Sequence, residues 1–312
     1  MIRRLQNKVA GSRMTLPLMA LYATLIWVAG GLITKGLWLQ FVCFAVSTVL
    51  MVELNNANAL IRIYSRMVSS MFIALSCAAC FLFEPIGAAV SELFVIAAYL
   101  ILFHCYQDRK AAGQTFYAFM CLGISSLFCV QIIYFIPIVW ILMAAFIRSI
   151  SVRTLVASVI GIIMPYWLAA AIMLYTGGFD RLASHIGQLA VTDGLFDFTS
   201  LQIHHWVTLA LIAVTAVTGM VHYKRQCLND KIRTRMFYNC FITMDLASAA
   251  FFVLLPQNAD FAMRMMIINT SPLVGHFIAL TNTKITNIAF YAISAAIIII
   301  TAFNLWMPST IF

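Results

Sequence analysis

Residues Lys224–Lys284, KRQCLNDKIRTRMFYNCFITMDLASAAFFVLLPQNADFAMRMMIINTSPLVGHFIALTNTK, decide the fold. The stretch opens on Lys224, Arg225, Lys231, Arg233 and Arg235, runs apolar over 236–256, turns near Asp260, and returns over 260–280 to Lys284. A helix of about 20 mostly apolar residues covers a hydrocarbon core about 30 Å thick. The stretch therefore predicts one crossing out and one crossing back, with its bases on one side. Basic residues near helix ends are retained on the cytoplasmic side.

Working outward in both directions, the same reading predicts helices near 16–33, 37–52, 67–83, 90–105, 114–130, 132–147, 153–175, 205–222, 236–256, 260–280 and 285–307. Threaded back and forth, they put sixteen of the nineteen Lys and Arg residues on one side, leaving Lys35 and Arg181 opposite and Arg264 inside a helix end. The fold class expected is all-α: a polytopic transmembrane bundle of ten or eleven spans with its N-terminus cytoplasmic. The expected domain is a single integral membrane unit over 1–312, multi-pass in an inner membrane. The turn Thr34-Lys35-Gly36 and the split between the fifth and sixth helices set the parity of the count.

Composition agrees. The chain is 63% hydrophobic and 9% charged, where soluble domains carry about 25% charge. A net charge of +9 reads as topological bias rather than a nucleic-acid surface, so the bilayer is the expected partner. The apolar runs lack the alternation of an outer-membrane barrel. Leu16–Ile33 is too long for a signal-peptide core and reads as a signal anchor. Eight cysteines, none in an outer loop, argue against a disulfide framework, and Cys77 and Cys80 read as small buried thiols. No P-loop, G-x-G-x-x-G, G-x-S-x-G or D-D-x-x-D run is present, so nucleotide-dependent and prenyl-transfer chemistry is disfavoured and no cofactor is expected.

Two groups of polar residues are candidates for function. Asp245 lies near the middle of one helix and Asn269, Thr270, Ser271 and Pro272 near the middle of the next, at the same depth, with His276 one turn on. A carboxyl group there is protonated, paired or facing water, and Asn269 or Thr270 is its expected partner. Polar residues at a Pro-interrupted midplane are how many transporters bind substrate. The bland reading is interhelical hydrogen bonding around a proline kink.

The second group is on the outer side: Glu84, Glu92, Asp180, His185, His204, His205 and Arg264. Asp260 and Arg264 are spaced for an ion pair one turn apart, or Arg264 is a site for a phosphate-type anion. Imidazoles and carboxylates of the outer loop suit a metal in kind but not in spacing, and none is expected. Within that loop, FDRLASHIGQLAVT reads as an amphipathic helix near 179–192, with Phe179, Leu182, Ile186 and Leu189 on its apolar face. The connection Glu53–Arg66, ELNNANALIRIYSR, reads as a long Asn-rich loop.

The segment QTFYAFMCLGISSLFCVQIIYFIPIVWILMAAFIRSISVRTLVASVIGIIMPYWLAA, 114–170, with LLPQNADFAMRMMIINTSPLVGHFIALTNTK, 254–284, resembles an uncharacterised family of polytopic bacterial inner-membrane proteins. The first segment also distantly resembles the membrane module of GT-C glycosyltransferases. That resemblance implies a polyprenyl-phosphate-linked sugar as substrate and a catalytic acid in the first outer loop. Here that loop is Thr34-Lys35-Gly36 and has no acid, which moves the expectation to Glu84 or Glu92. The leading expectation is non-enzymatic: a transporter or flippase, or a component of an envelope assembly, with a lipid-linked substrate or other membrane proteins as partners.

Overall fold

A computed structural model describes residues 4–176, 184–187, 189, 195–199 and 201–306. Among these the chain is helix and turn, with no strand. The principal helices are α1 (Leu5–Gly11), α2 (Thr15–Ala29), α3 (Trp38–Asn58), α4 (Met67–Ala78), α5 (Ile86–His104), α6 (Ala112–Phe128), α7 (Ile136–Leu142), α8 (Val152–Thr176), α9 (Ile203–Gln226), α10 (Ile232–Leu254), α11 (Ala259–Leu280) and α12 (Lys284–Trp306). A 3-10 turn (Val130–Phe135) and a π turn (Met143–Ile147) extend α7 at either end.

Each of the eleven segments expected to be helical is largely helical among the described residues, the first ending at Ala29 rather than at 33. The largest difference is at α3, which runs on to Asn58 and shortens the expected Asn-rich loop. Its asparagines explain this. Asn55 Nδ2 donates to Ser65 O at 3.1 Å and its Oδ1 accepts from Ile61 N at 3.3 Å, pinning the turn back against the helix end. Ala59 then takes the left-handed conformation that ends the helix, with φ 46°.

By length and composition seven helices among the described residues can cross a membrane, or eight if α1 and α2, bent by 90°, form one span. That is fewer than the ten or eleven that hydropathy suggests. The shortfall is one of length and composition: α2 is too short by itself, α4 and α6 have only 12 and 17 residues, and the polar α11 is not apolar enough. α4, with 12 residues, is about 18 Å long at 1.5 Å per residue, yet every one of its residues is buried. α11 is buried from Phe261 to Ala279. These two helices form the centre of the bundle, and the apolar α3, α8 and α12 lie outside, largely uncovered by protein. A helix bearing Arg264, Asn269, Thr270, Ser271 and His276 is too polar for lipid, and its neighbours enclose it. Gly219 of α9 lies against the Leu273 backbone and lets the ring close on α11.

Hydrogen bonds between turns define two ends. At one end Asn7 Nδ2 donates to Thr281 O at 2.8 Å, Arg62 Nη1 to Asn229 O at 3.3 Å, and Gln107 N to Ile147 O at 2.8 Å. This basic end carries the Lys and Arg residues that flank those turns. At the other, Lys35 pairs with Glu84, Gln131 Nε2 donates to Asn258 Oδ1 at 3.0 Å, and Phe196 N to Leu254 O at 3.2 Å. This is the acidic end.

One element escapes hydropathy. α1 docks across the basic end, where Gln6 Nε2 donates to Ile278 O at 2.8 Å and to the Thr281 hydroxyl. It thereby supplies donors to the carbonyls that end α11.

Candidate functional site

The central helix α11 meets an acid from a different element at each of three depths. Arg264, Thr270 and His276 are six residues apart in turn, or about 9 Å of rise per step. Arg264 pairs with Glu92 of α5, Thr270 with Asp245 of α10, and His276 with Asp230, just before α10.

Toward the acidic end, Arg264 Nη1 donates to Glu92 Oε2 at 2.6 Å, and Nη2 donates to Leu82 O beyond α4. Both side chains are about nine-tenths buried. A cavity of about 20 Å³ adjoins the pair and is lined by Trp27, Ser47, Ser76 and Arg264 among others. Trp27 Nε1, Ser47 Oγ, Ser76 Oγ and Arg264 Nε are buried there without a hydrogen-bond partner. Roughly 10–15 Å³ of such space holds one water, and a water needs two to four polar partners. Volume and chemistry both fit a hydrated pocket.

At mid-depth, Asp245 is 1% exposed. Among the described residues its only hydrogen-bond donor is the Thr270 hydroxyl, at 3.2 and 3.3 Å from the two carboxylate oxygens. Asn269 does not join it. Its Oδ1 accepts from Tyr99 O–H at 2.8 Å and its Nδ2 donates to Met265 O at 2.7 Å. Ser271 donates to Ile267 O at 2.5 Å, within its own helix. α11 runs through Pro272 as continuous helix, as one helix over 260–280 requires. Asp245, Asn269 and Thr270 thus sit at one level, as depth counting requires, but in two separate pairs.

His276 lies apart from them, at the basic end. Its Nε2 is 2.9 Å from Asp230 Oδ2, and both side chains are buried. Arg62 approaches the other Asp230 oxygen at 4.0 Å. The rings of His222, Tyr223 and Tyr238 lie 5.5, 5.2 and 5.0 Å from that of His276. His276 Nδ1, His222 Nε2 and the Tyr223 hydroxyl are buried without partners. Tyr238 reaches back toward mid-depth and donates to Pro272 O at 3.4 Å. The ends therefore carry unpartnered polar atoms, whereas Asp245, Asn269 and Thr270 carry none.

The outer-side residues gather at the acidic end but into separate contacts. Arg264 selects Glu92, not Asp260, because α5 lies against that face of α11. Asp260 instead faces His205, with Oδ1 3.3 Å from Nε2. His205 Nδ1 accepts from Gln202 N at 3.2 Å and so caps α9. His204 stacks on His205 and Phe81. Glu84 is exposed and pairs with Lys35.

His185 Nε2 is 2.9 Å from Ser126 O, and residues 184–187 are helical. Asp180 and most of the expected 179–192 helix lie outside the described residues. Asp197 accepts from the hydroxyl and backbone N–H of Thr199, which hold its carboxyl below the usual range. Among the described residues no three His, Cys, Asp or Glu side chains converge as metal ligands.

Asp230, Tyr99, His222, Tyr223, Tyr238, Trp27, Ser47 and Ser76 are the members that sequence reading missed. Asp230 had a signal: it is the one acid inside the basic run Lys224–Arg235. Comparisons with protein-family models, with curated proteins and with solved structures find no match to this chain.

Proposed function

We propose that the protein is a proton-conducting transporter of a bacterial inner membrane, with its basic end cytoplasmic and protons passing along α11 without a co-substrate. The carrying observation is the series Glu92, Asp245 and Asp230, three carboxyl groups paired to one enclosed helix at successive depths. Ionisable residues within a membrane are costly, and chains of Asp, Glu and His mark proton relays. Asp245 supports the reading most directly. One hydroxyl at 3.2 Å is thin solvation for an ion in hydrocarbon, so its proton state is sensitive to any rearrangement of α10 against α11. The lone dry level lies between two ends with polar atoms to hydrate, which is the layout of an occluded state. Orientation follows from the retention of basic residues on the cytoplasmic side.

A GT-C-like enzyme is the competing reading. It is weaker because Glu92 and Glu84, the acids it needs, are each held by a cation.

The test is proton movement in proteoliposomes carrying a trapped pH dye and a valinomycin-imposed potential, negative inside. Wild type should acidify the lumen, and Asp245→Asn should slow this at least tenfold. Asp260→Asn, which alters an exposed pair, should leave the rate within about twofold. Wild-type vesicles no faster than empty ones, or an unchanged rate in Asp245→Asn, would sink the reading.

A further inference from the structure

A crevice in the basic half opens between α1, α2, α4 and α12. It has a volume of about 260 Å³ and is lined by Val9, Met19, Met71, Ile278, Phe290 and Ile297 among others. Its wall also carries four hydroxyl-bearing side chains, Thr15, Tyr22, Ser70 and Ser294, and the first three are already engaged. Thr15 donates to Val9 O at 2.5 Å, Ser70 to Arg66 O at 2.9 Å, and Tyr22 bonds Thr301 at 2.9 Å. The contrast with the Trp27 cavity is chemical: there several unpartnered polar groups converge and invite water, whereas here three of the four hydroxyls are taken and the rest of the wall is apolar. A space of this kind beside lipid fills with hydrocarbon.

Its length fits a single chain. Along α12 the lining runs from Phe290 to Ile298. At 1.5 Å per residue that is a run of about 12 Å, a little under one leaflet of a core about 30 Å thick. Its mouth is cationic. Lys8, Arg13 and Lys284 are exposed there, and Arg4, at the start of α1, has Nη1 enclosed without a partner. α1 itself is fixed by Gln6 and Asn7 to the end of α11, so these charges are held beside the crevice rather than on a loose tail.

We infer that this crevice binds one acyl chain of an anionic glycerophospholipid, with the phosphate at Arg4, Lys8, Arg13 and Lys284. Apolar area retains the chain, and the cations select the head group. The inference is independent of proton movement along α11.

The test is native mass spectrometry of the full chain, extracted in mild detergent from bilayers of equal phosphatidylglycerol and phosphatidylcholine. Wild type should retain one phosphatidylglycerol at least tenfold in preference to phosphatidylcholine. Lys8→Gln/Arg13→Gln/Lys284→Gln changes exposed side chains only, so it should fold normally and lose that preference. Ala74→Phe, which fills the crevice, should lose retention of both lipids; circular dichroism and gel filtration establish that it is folded. If it is not, Ser294→Phe, on the lipid-facing wall, is measured in its place. Equal retention of the two lipids by wild type, or no retained lipid, overturns the inference. So does a folded, filled variant that holds phosphatidylglycerol as wild type does.

Discussion

Arg264→Ala should destabilise the protein by about 3–5 kcal/mol, the usual cost of leaving one partner of a buried ion pair unmatched. Its guanidinium bonds Glu92 at 2.6 Å and also the Leu82 carbonyl, just beyond the end of α4. The substitution therefore abandons a buried carboxylate on α5 and a carbonyl at the end of the central helix pair. Glu92→Ala should cost a similar amount, since it leaves the guanidinium uncompensated. The pair as a whole is a different matter. Desolvation offsets most of its attraction, so Glu92→Leu/Arg264→Met should be more stable than either single alanine variant. Thermal unfolding in detergent, followed by circular dichroism, gives all four values. Additive losses under about 1 kcal/mol each would mean that the two groups are hydrated separately, as exposed pairs are. The outcome bears on function, because a pair strongly coupled in the resting state must be broken for Glu92 to exchange a proton with the Trp27 cavity.

The parts of this site that were legible in the sequence are those fixed by depth. Asp245 and Thr270 belong to consecutive antiparallel helices, so counting residues from the shared turn brings them level, and the structure pairs them at 3.2 Å. Partner choice between distant helices was not legible. Arg264 has an acid one turn away, Asp260, yet bonds Glu92, 172 positions earlier, because adjacency of α5 and α11 is a property of the packed bundle. Position in the bundle was half legible. The polar content of α11 argues for enclosure, whereas the twelve residues of α4, MVSSMFIALSCA, read like any lipid-facing segment except for their serines. Buried Ser69, Ser70 and Ser76 are modest evidence, since hydroxyls can bond back to their own helix. The docking of α1 was hidden for another reason. Gln6 and Asn7 sit in a basic stretch whose charges dominate its reading, and their amides act only once the end of α11 is in place.

The second large effect concerns the contact between α6 and α8, where two glycines let the helix backbones touch. A Cβ added at Gly161 would lie 2.5 Å from Phe116 O, and one at Gly123 would lie 2.8 Å from Ile162 O. In both cases the obstacle is backbone, which cannot rotate aside as a side chain can. At Gly219 the Leu273 carbonyl carbon would be at 2.9 Å, and at Gly275 the Val68 nitrogen at 3.0 Å. Alanine raises helix propensity by about 1 kcal/mol over glycine, whereas overpacking costs about 1–3 kcal/mol. The net loss should therefore be greatest for Gly161→Ala, less for Gly123→Ala and Gly219→Ala, and near zero for Gly275→Ala. Gly161→Leu should exceed them all, and because α8 is otherwise bound by little beyond α6, it should detach that helix locally while α4 and α11 stay folded. Thermal unfolding gives the ranking, and hydrogen exchange of α8 against α11 locates the damage. Equal protection loss in both helices would show that α8 is integral to the core rather than clipped to it. A Gly161→Ala variant as stable as wild type would show that the two backbones are farther apart than 2.5 Å implies.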